Sequence, residues 1–197
     1  NPGYLAGLRV LLDDILPLGE VRWFAAKNEL VRALIGRLRT EAGWKQYPSC
    51  KQVRIERPLV ICGVPRTGTT ALHKLLSIDT QFQGLEHWLC EWPKPRPPRD
   101  TWLSDPGYHE ARKRLEARDE ASPVFKMAHD IAVSEVDECV EVLCQEFVSN
   151  RWGCLFDAPE YEAWFRRQDQ RPTYRRYADA LRLIGLNTDK QWLLKNP

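Results

Sequence analysis

The chain has little that commits it to a membrane, a metal or a polyanion. Among its 197 residues no apolar run approaches the ~20 needed to cross a bilayer. No secretory signal stands at the start, although the chain opens on Asn1 and not Met, so a missing upstream segment is expected. Neither sign of charge dominates: 29 Lys and Arg stand against 27 Asp and Glu, a net +2, so no nucleic-acid partner is expected. No Cys-x-x-Cys pair occurs among the scattered Cys50, Cys62, Cys90, Cys139, Cys144 and Cys154, so zinc is not expected. Cys62, Cys139 and Cys144 fall on apolar faces and read as reduced core thiols, and a cytoplasmic location is the expectation. What is unusually plentiful is tryptophan, at eight residues in an otherwise ordinary globular composition. The length suits one sizeable core with a helical appendage.

The motif that carries chemistry also lacks something. Leu59 to Cys62 read as a buried strand, a Gly/Pro-punctuated turn follows, and Leu72, Leu75 and Leu76 then share one helical face. The turn, Gly63 to Thr70, has the spacing Gly-x-x-x-x-Gly-Thr-Thr, close to the phosphate-binding Gly-x-x-x-x-Gly-Lys-Ser/Thr, but Thr69 stands where a nucleotide triphosphatase has lysine. An anion site survives that change. Backbone N–H groups at a helix N-terminus bind anions. Gly68 lets the main chain come close. Thr67, Thr69 and Thr70 add hydroxyl donors, and Arg66 adds a permanent forked cation suited to phosphate or sulfate. Loss of the lysine that bridges outer phosphates favours a diphosphate-like or phosphosulfate ligand over hydrolysed ATP.

Glu86 and His87 follow Arg66 by roughly one helix and one turn, which puts them near the loop-bearing edge of an α/β sheet, where ligands bind. A carboxylate or imidazole there can take a proton from an acceptor hydroxyl. Gln191 to Leu194 read as a second inner strand, so the sheet is expected to be parallel, and Lys195 leaves its carboxyl end.

Pro65-Arg66-Thr67-Gly68-Thr69-Thr70 resembles the 5′-phosphosulfate loop of the sulfotransferase family, in the arginine form similar to that of the tyrosylprotein sulfotransferases and of a broad bacterial branch. The resemblance extends more loosely through residues 93–98, Asp137-Glu138-Cys139 and Trp192-Leu193-Leu194-Lys195-Asn196-Pro197. It implies 3′-phosphoadenylyl sulfate as donor, transfer of a sulfuryl group to an acceptor hydroxyl, and no metal. It implies a catalytic Arg66 and a donor site of Arg66, Thr67, Gly68, Thr69, Thr70 and Lys195. A glutamate base is implied at a position that falls, without gaps, on His87, with Glu86 beside it; the choice between them stays open. The implied partner is a small-molecule, lipid or glycan hydroxyl acceptor. No later strand and no Arg…Ser pair for the 3′-phosphate follow Lys195. The expected fold is therefore α/β, a P-loop-like parallel sheet flanked by helices over 56–197, with an N-terminal helical cap over 1–55 and the C-terminal part missing. A P-loop kinase or nucleotide hydrolase with an atypical loop, and a non-catalytic interaction module, are the alternatives. Magnesium-dependent ATP turnover would mark the first, and failure to bind the donor product the second.

Elsewhere, helical spacing predicts helices over 3–16 and 20–42, the second burying Phe24, Val31, Leu34, Ile35 and Leu38, carrying its basic residues on a solvated face and ending at Gly43. Leu85–Leu89 read as a short strand and residues 92–99 as an extended connector. Asp105-Pro106 start an exposed, charged helix. Residues 127–130 read as irregular and close to the core, with His129 a second-rank acid–base candidate. Ser134 to Phe147 read as the clearest helix, with Glu135, Asp137, Glu138 and Glu141 complementing its dipole. Asp157-Ala158-Pro159 cap another helix bearing Tyr161, Trp164 and Phe165. Pro172 starts one more, with Tyr174, Tyr177, Leu181 and Ile184 inward.

Overall fold

A computed structural model of the chain describes residues 3–64, 66–129 and 131–196. Pro65, Asp130 and Pro197, each part of a stretch singled out in the sequence, lie outside the described residues, as do Asn1 and Pro2.

Helices α1 (Gly3–Ile15) and α2 (Glu20–Gln46) open the chain. Of the apolar residues that α1 carries at helical spacing, Leu11 and Ile15 are buried, Leu8 and Leu12 half-buried and Leu5 exposed. α2 departs from expectation in two ways. It continues through Gly43 to Gln46, and Gly43 serves close packing instead of capping: a Cβ there would lie 2.6 Å from Leu183 Cδ2. Its inward face is also not the most apolar one. Phe24, Val31 and Leu38 are exposed, while Ala26, Leu30, Ala33, Arg37 and Thr40 are buried. Small residues let the helix approach closely, and the polar ones are matched. Thr40 Oγ1 lies 2.8 Å from the Gly36 carbonyl and 2.9 Å from the Gln145 amide oxygen, and Arg37 pairs with Glu146. Arg32 pairs with Glu141 at 2.9 Å. Basic residues expected in solvent thus hold α2 to the rest of the fold.

Strands β1 (Leu59–Ile61), β2 (Phe82–Gln83) and β3 (Gln191–Lys195) form a parallel sheet in the order β1-β3-β2. Helix α3 (Thr69–Leu76) follows β1 and packs on β3. The register pairs Leu59 with Leu193 and Ile61 with Lys195. β1 lies at one edge of this sheet and exposes Leu59 and Val60; Cys62 beyond it is exposed too, not a core thiol. Leu85–Leu89 do not form a strand. Glu86 makes an isolated bridge to Val136, and helix α4 (His87–Glu91) follows.

Helix α5 (Pro106–Ala121) starts as predicted, with the Asp105 carboxylate accepting from the Gly107 N–H at 2.8 Å. It is not exposed all round: Tyr108, Ala111 and Leu115, spaced by three and four, are buried. Helix α6 (Pro123–Ala128) takes up Met127 and Ala128 of the stretch expected to be irregular, His129 lies outside the helix, and Met127 and His129 are exposed rather than close to the core. The long helix expected from Ser134 shrinks to α7 (Val140–Leu143) and a 3-10 turn over Cys144–Glu146. The reason is competition for backbone bonds. The Glu135 carbonyl accepts from His87 N–H at 3.0 Å, and Asp137 N–H donates to Leu85 O at 2.8 Å, so these groups are spent on a neighbouring segment. Helices α8 (Asn150–Leu155), α9 (Pro159–Phe165) and α10 (Arg171–Ile184) complete the set. Ala158, not Asp157, takes the cap position of α9, and α10 buries Tyr177, Leu181 and Ile184 but exposes Tyr174.

One core packs Leu85, Trp88, Trp102, Tyr108 and Ile184 with Trp192 and Leu194 of β3. A second joins α1 and α2 to Phe147, Trp152 and Tyr161, with the Phe147 and Trp152 rings stacked at 5.1 Å. The first core holds β3, and pairing with β3 places the carboxyl end of β1 beside that of β3, where the site lies.

Candidate functional site

The loop leaving β1 closes on itself. Thr67 Oγ1 donates to the Val64 carbonyl at 2.7 Å. Gly63 is needed for this turn: a Cβ there would lie 2.9 Å from Thr69 Cγ2. Arg66 takes φ +69° and Gly68 φ +89°, left-handed backbone that turns the chain into α3. No side chain caps the N-terminus of α3 at Gly68, so the first N–H groups of the helix are donors without intrahelical partners, as an anion cradle requires. His73, buried on α3, has Nε2 3.5 Å from the Leu193 carbonyl, and burial pushes its pKa down. It ties α3 to β3.

Lys195 ends β3 level with Ile61, the last residue of β1. Its ammonium is buried, donating to Thr70 Oγ1 at 2.8 Å and pairing with Glu138 Oε1 at 2.5 Å. The structure therefore brings together two residues predicted as a donor site, Thr70 and Lys195. It also supplies from a neighbouring strand the cation missing at position 69.

Glu86 and His87 are adjacent in the chain but have different partners. Glu86 pairs with Arg96 at 3.0 Å; burial pushes its pKa up, against the lowering pull of Arg96. His87 Nδ1 lies 2.6 Å from Asp137 Oδ2, and its Nε2 lies 3.8 Å from Glu91. Burial opposes the charged imidazole, but the hydrogen bond and charge of Asp137, with Glu141 and Glu91 beyond, outweigh it and raise the pKa. Glu91 pairs in turn with Arg114 at 2.9 Å and with Arg32 at 3.5 Å. A row of bonded groups thus runs from Thr70 through Lys195 and the Glu138–Asp137 segment to His87.

That segment is held from both sides. Asp137 N–H donates to Leu85 O and Cys139 N–H to Lys195 O, each at 2.8 Å. Gly84 makes room for it: a Cβ at Gly84 would meet Val136 Cγ1 at 2.1 Å.

The sulfotransferase family profile matches residues 58–184, which span the loop, Glu86, His87 and Glu138. The chain belongs to the sulfotransferase family. Two solved structures resemble this chain. One is the sulfotransferase STF1 from Mycobacterium tuberculosis H37Rv, 41% identical with a TM-score of 0.85, aligned over 98% of this chain and 54% of its own. The other is the sulfotransferase STF9 from Mycobacterium avium, 25% identical with a TM-score of 0.79, aligned over 100% of this chain and 52% of its own. The chain spans about half the length of each. A comparison with curated proteins gives no match.

Sequence reasoning read Asp137 and Glu138 as acids at a helix start and did not place them beside His87 and Lys195. A signal was there. Four carboxylates within residues 135–141 are more negative charge than one helix N-terminus takes up, and each has a basic partner. Glu135 pairs with Lys74, Asp137 with His87, Glu138 with Lys195, and Glu141 with Arg32 and Arg151.

Proposed function

We propose that this chain carries the donor-binding and transfer centre of a sulfotransferase that uses 3′-phosphoadenylyl sulfate. The observation that carries the reading is the hydrogen bond from Lys195 to Thr70 at an uncapped helix N-terminus. The backbone and hydroxyls of Thr67, Gly68, Thr69 and Thr70 hold the 5′-phosphate, and Arg66 and Lys195 supply cations. The donor fits what is present: unpartnered N–H donors, a left-handed Gly68 and a lysine that enters from β3.

The chemistry is an in-line displacement at sulfur. The acceptor oxygen bonds to sulfur as the bond from sulfur to the bridging oxygen breaks. That oxygen leaves with the 5′-phosphate of adenosine 3′,5′-bisphosphate, and the hydroxyl proton passes to a base. Positioning and charge stabilisation dominate such transfers, by analogy with phosphoryl transfer. Arg66 and Lys195 neutralise charge growing on the bridging and sulfuryl oxygens. The base is Glu86 or His87, as the sequence suggests, or Glu138, which of the three is the one bonded to Lys195. The acceptor is a small-molecule, lipid or glycan hydroxyl, and the buried free thiols Cys90, Cys139 and Cys144 favour a cytoplasmic setting.

Isothermal titration of adenosine 3′,5′-bisphosphate into the full-length protein tests the reading, together with transfer of labelled sulfate from the donor. Binding without magnesium, and loss of sulfation in Arg66→Ala, are expected. Magnesium-dependent ATP turnover in place of nucleotide bisphosphate binding would overturn it.

A further inference from the structure

Asp137 uses its two carboxylate oxygens on different partners. Oδ2 lies 2.6 Å from His87 Nδ1, and Oδ1 accepts the N–H of Glu138 at 2.7 Å. The residue is buried, where hydrogen bonds are electrostatically stronger than in water. The first bond is an anchor. The His87 ring is fixed on its other side too, with Nε2 3.8 Å from Glu91, and Glu91 is held by Arg114 at 2.9 Å and by Arg32 at 3.5 Å. The His87 N–H donates to the Glu135 carbonyl at 3.0 Å, so its backbone is tied to the same segment as its ring. Asp137 therefore rests on an imidazole that α2, α4 and α5 together hold in place.

The second bond sets a direction. The Glu138 side chain keeps 32% of its surface exposed, so burial does not orient it. Its backbone does. The Glu138 N–H is taken by Asp137 Oδ1, and the N–H of the next residue, Cys139, donates to the Lys195 carbonyl at 2.8 Å. With the main chain fixed on both sides, Glu138 Oε1 meets Lys195 Nζ at 2.5 Å, and the same ammonium donates to Thr70 Oγ1 at 2.8 Å. A lysine has a flexible four-carbon stem, so the place of its charge depends on what holds its head.

We propose that Asp137 is a positioning residue for the donor site. By bonding His87 with one oxygen and the Glu138 N–H with the other, it holds the Glu138 carboxylate where that group fixes the Lys195 ammonium beside Thr70. Asp137 acts through Glu138 and takes no part in bond making. The proposal rests on the sulfotransferase reading for what Lys195 binds, and on the bonded geometry for the rest.

The test is isothermal titration of adenosine 3′,5′-bisphosphate into the full-length protein. Asp137→Ala removes both bonds and should weaken binding about tenfold or more. Asp137→Asn keeps an oxygen for the Glu138 N–H and offers an amide N–H to a neutral His87 Nδ1, so its affinity should stay within about threefold of the wild type. In a Lys195→Ala background, Asp137→Ala should change affinity less than about twofold, because the group it positions is gone. A role confined to stability would lower the melting temperature without this pattern. Affinity unchanged in Asp137→Ala, an equal further loss in the Lys195→Ala background, or an Asn variant as weak as the Ala variant overturns the proposal. If Asp137→Ala does not fold, Asp137→Glu takes its place: it keeps the charge but carries the oxygens one bond farther out, and it too should bind about tenfold more weakly, with unchanged affinity overturning the proposal. Failure of the sulfotransferase reading looks different, since the wild type would not bind the nucleotide. The proton–nitrogen NMR signal of the Lys195 ammonium then reports the positioning without a ligand. It should be visible in the wild type and in Asp137→Asn, because an ammonium buried between Thr70 and Glu138 exchanges slowly with water, and lost in the Ala or Glu variant. A signal absent from the wild type, or unchanged in the Ala or Glu variant, overturns the proposal.

Discussion

Lys195 donates to Thr70 across 125 positions of sequence, so the loop acquires its lysine from the strand beside it and not from its own chain segment. The ammonium is buried and counterbalanced by Glu138, which holds it next to the helix N-terminus in a fixed place. A lysine inside the loop would follow the loop's own motion. One anchored at the end of β3 is set by the register that pairs it with Ile61.

Replacing Lys195 by alanine removes a charged donor and leaves Glu138 without it. Charge-assisted hydrogen bonds contribute about 1.5–3 kcal/mol, so binding of adenosine 3′,5′-bisphosphate should weaken roughly 10- to 100-fold by isothermal titration. Lys195→Arg should restore little of this, because a planar fork does not fit a place shaped for a single ammonium held by Thr70 and Glu138. Nucleotide affinity unchanged in both variants would remove Lys195 from the donor site.

Three substitutions, Glu86→Gln, His87→Gln and Glu138→Gln, identify the base. One of them should lower kcat about 10²- to 10⁴-fold while leaving nucleotide affinity near that of the wild type. Glu86→Gln and His87→Gln should in addition lower thermal stability, since both residues are held in buried pairs, with Arg96 and Asp137. All three variants retaining kcat within about tenfold would mean that none of these groups takes the proton.

The two loop glycines should respond to alanine for different physical reasons. At Gly63 the added Cβ meets Thr69 Cγ2 at 2.9 Å, so the loop must shift, and nucleotide affinity should fall along with ~1–3 kcal/mol of stability. At Gly68 nothing lies within 4 Å of the added atom, and the cost is the left-handed backbone at φ +89°, roughly 1–2 kcal/mol. Gly68→Ala should lower the melting temperature through this strain and should also weaken nucleotide binding, because the added Cβ stands where the main chain approaches the anion. Unchanged affinity in both variants would contradict the cradle.

His87 gives stability a pH dependence of defined sign. Its folded pKa is raised above 6.5, so the folded state binds the proton more tightly than the unfolded state. The stabilisation is complete below pH 6.5 and is lost as pH rises through the folded value. His87→Gln should cost about 3 kcal/mol at about pH 6, because Asp137 is left buried without its cation, and less at about pH 8.5. Thermal melts of both proteins across that range give the difference. A gap that widens with pH would reverse the sign. Glu141 works in the opposite direction: Arg151 and Arg32 overcome its burial and hold its pKa well below 4.5, so its contribution is present above pH 4.5 and disappears on acidification.

Elements whose signals are consecutive in the chain are legible from the residues alone. Asp105-Pro106 start a helix because the cap and the first helical residue are neighbours, and Leu59–Ile61 and Gln191–Lys195 are strands in a parallel sheet as expected. The face of α2 is not legible in this way. Counting apolar residues selects Phe24, Val31 and Leu38, but the fold turns Ala33, Arg37 and Thr40 inward because Glu146 and Gln145 are there to meet them. The Ser134–Phe147 stretch departs from expectation for a related reason: its helical period is real, but its first backbone groups are taken by Leu85 and His87.

By itself, the sequence determined the strand, the turn with Arg66 and Gly68, and the threonine-rich helix start, because an anion cradle of successive N–H groups is a property of neighbouring residues. It also placed Lys195 at the end of a strand. Only the tertiary structure decided which charges meet. Thr70 finds Lys195 125 residues away, and His87 finds Asp137 50 residues away. Such pairs exist only once packing has removed water and fixed both backbones, and no local pattern encodes that distance.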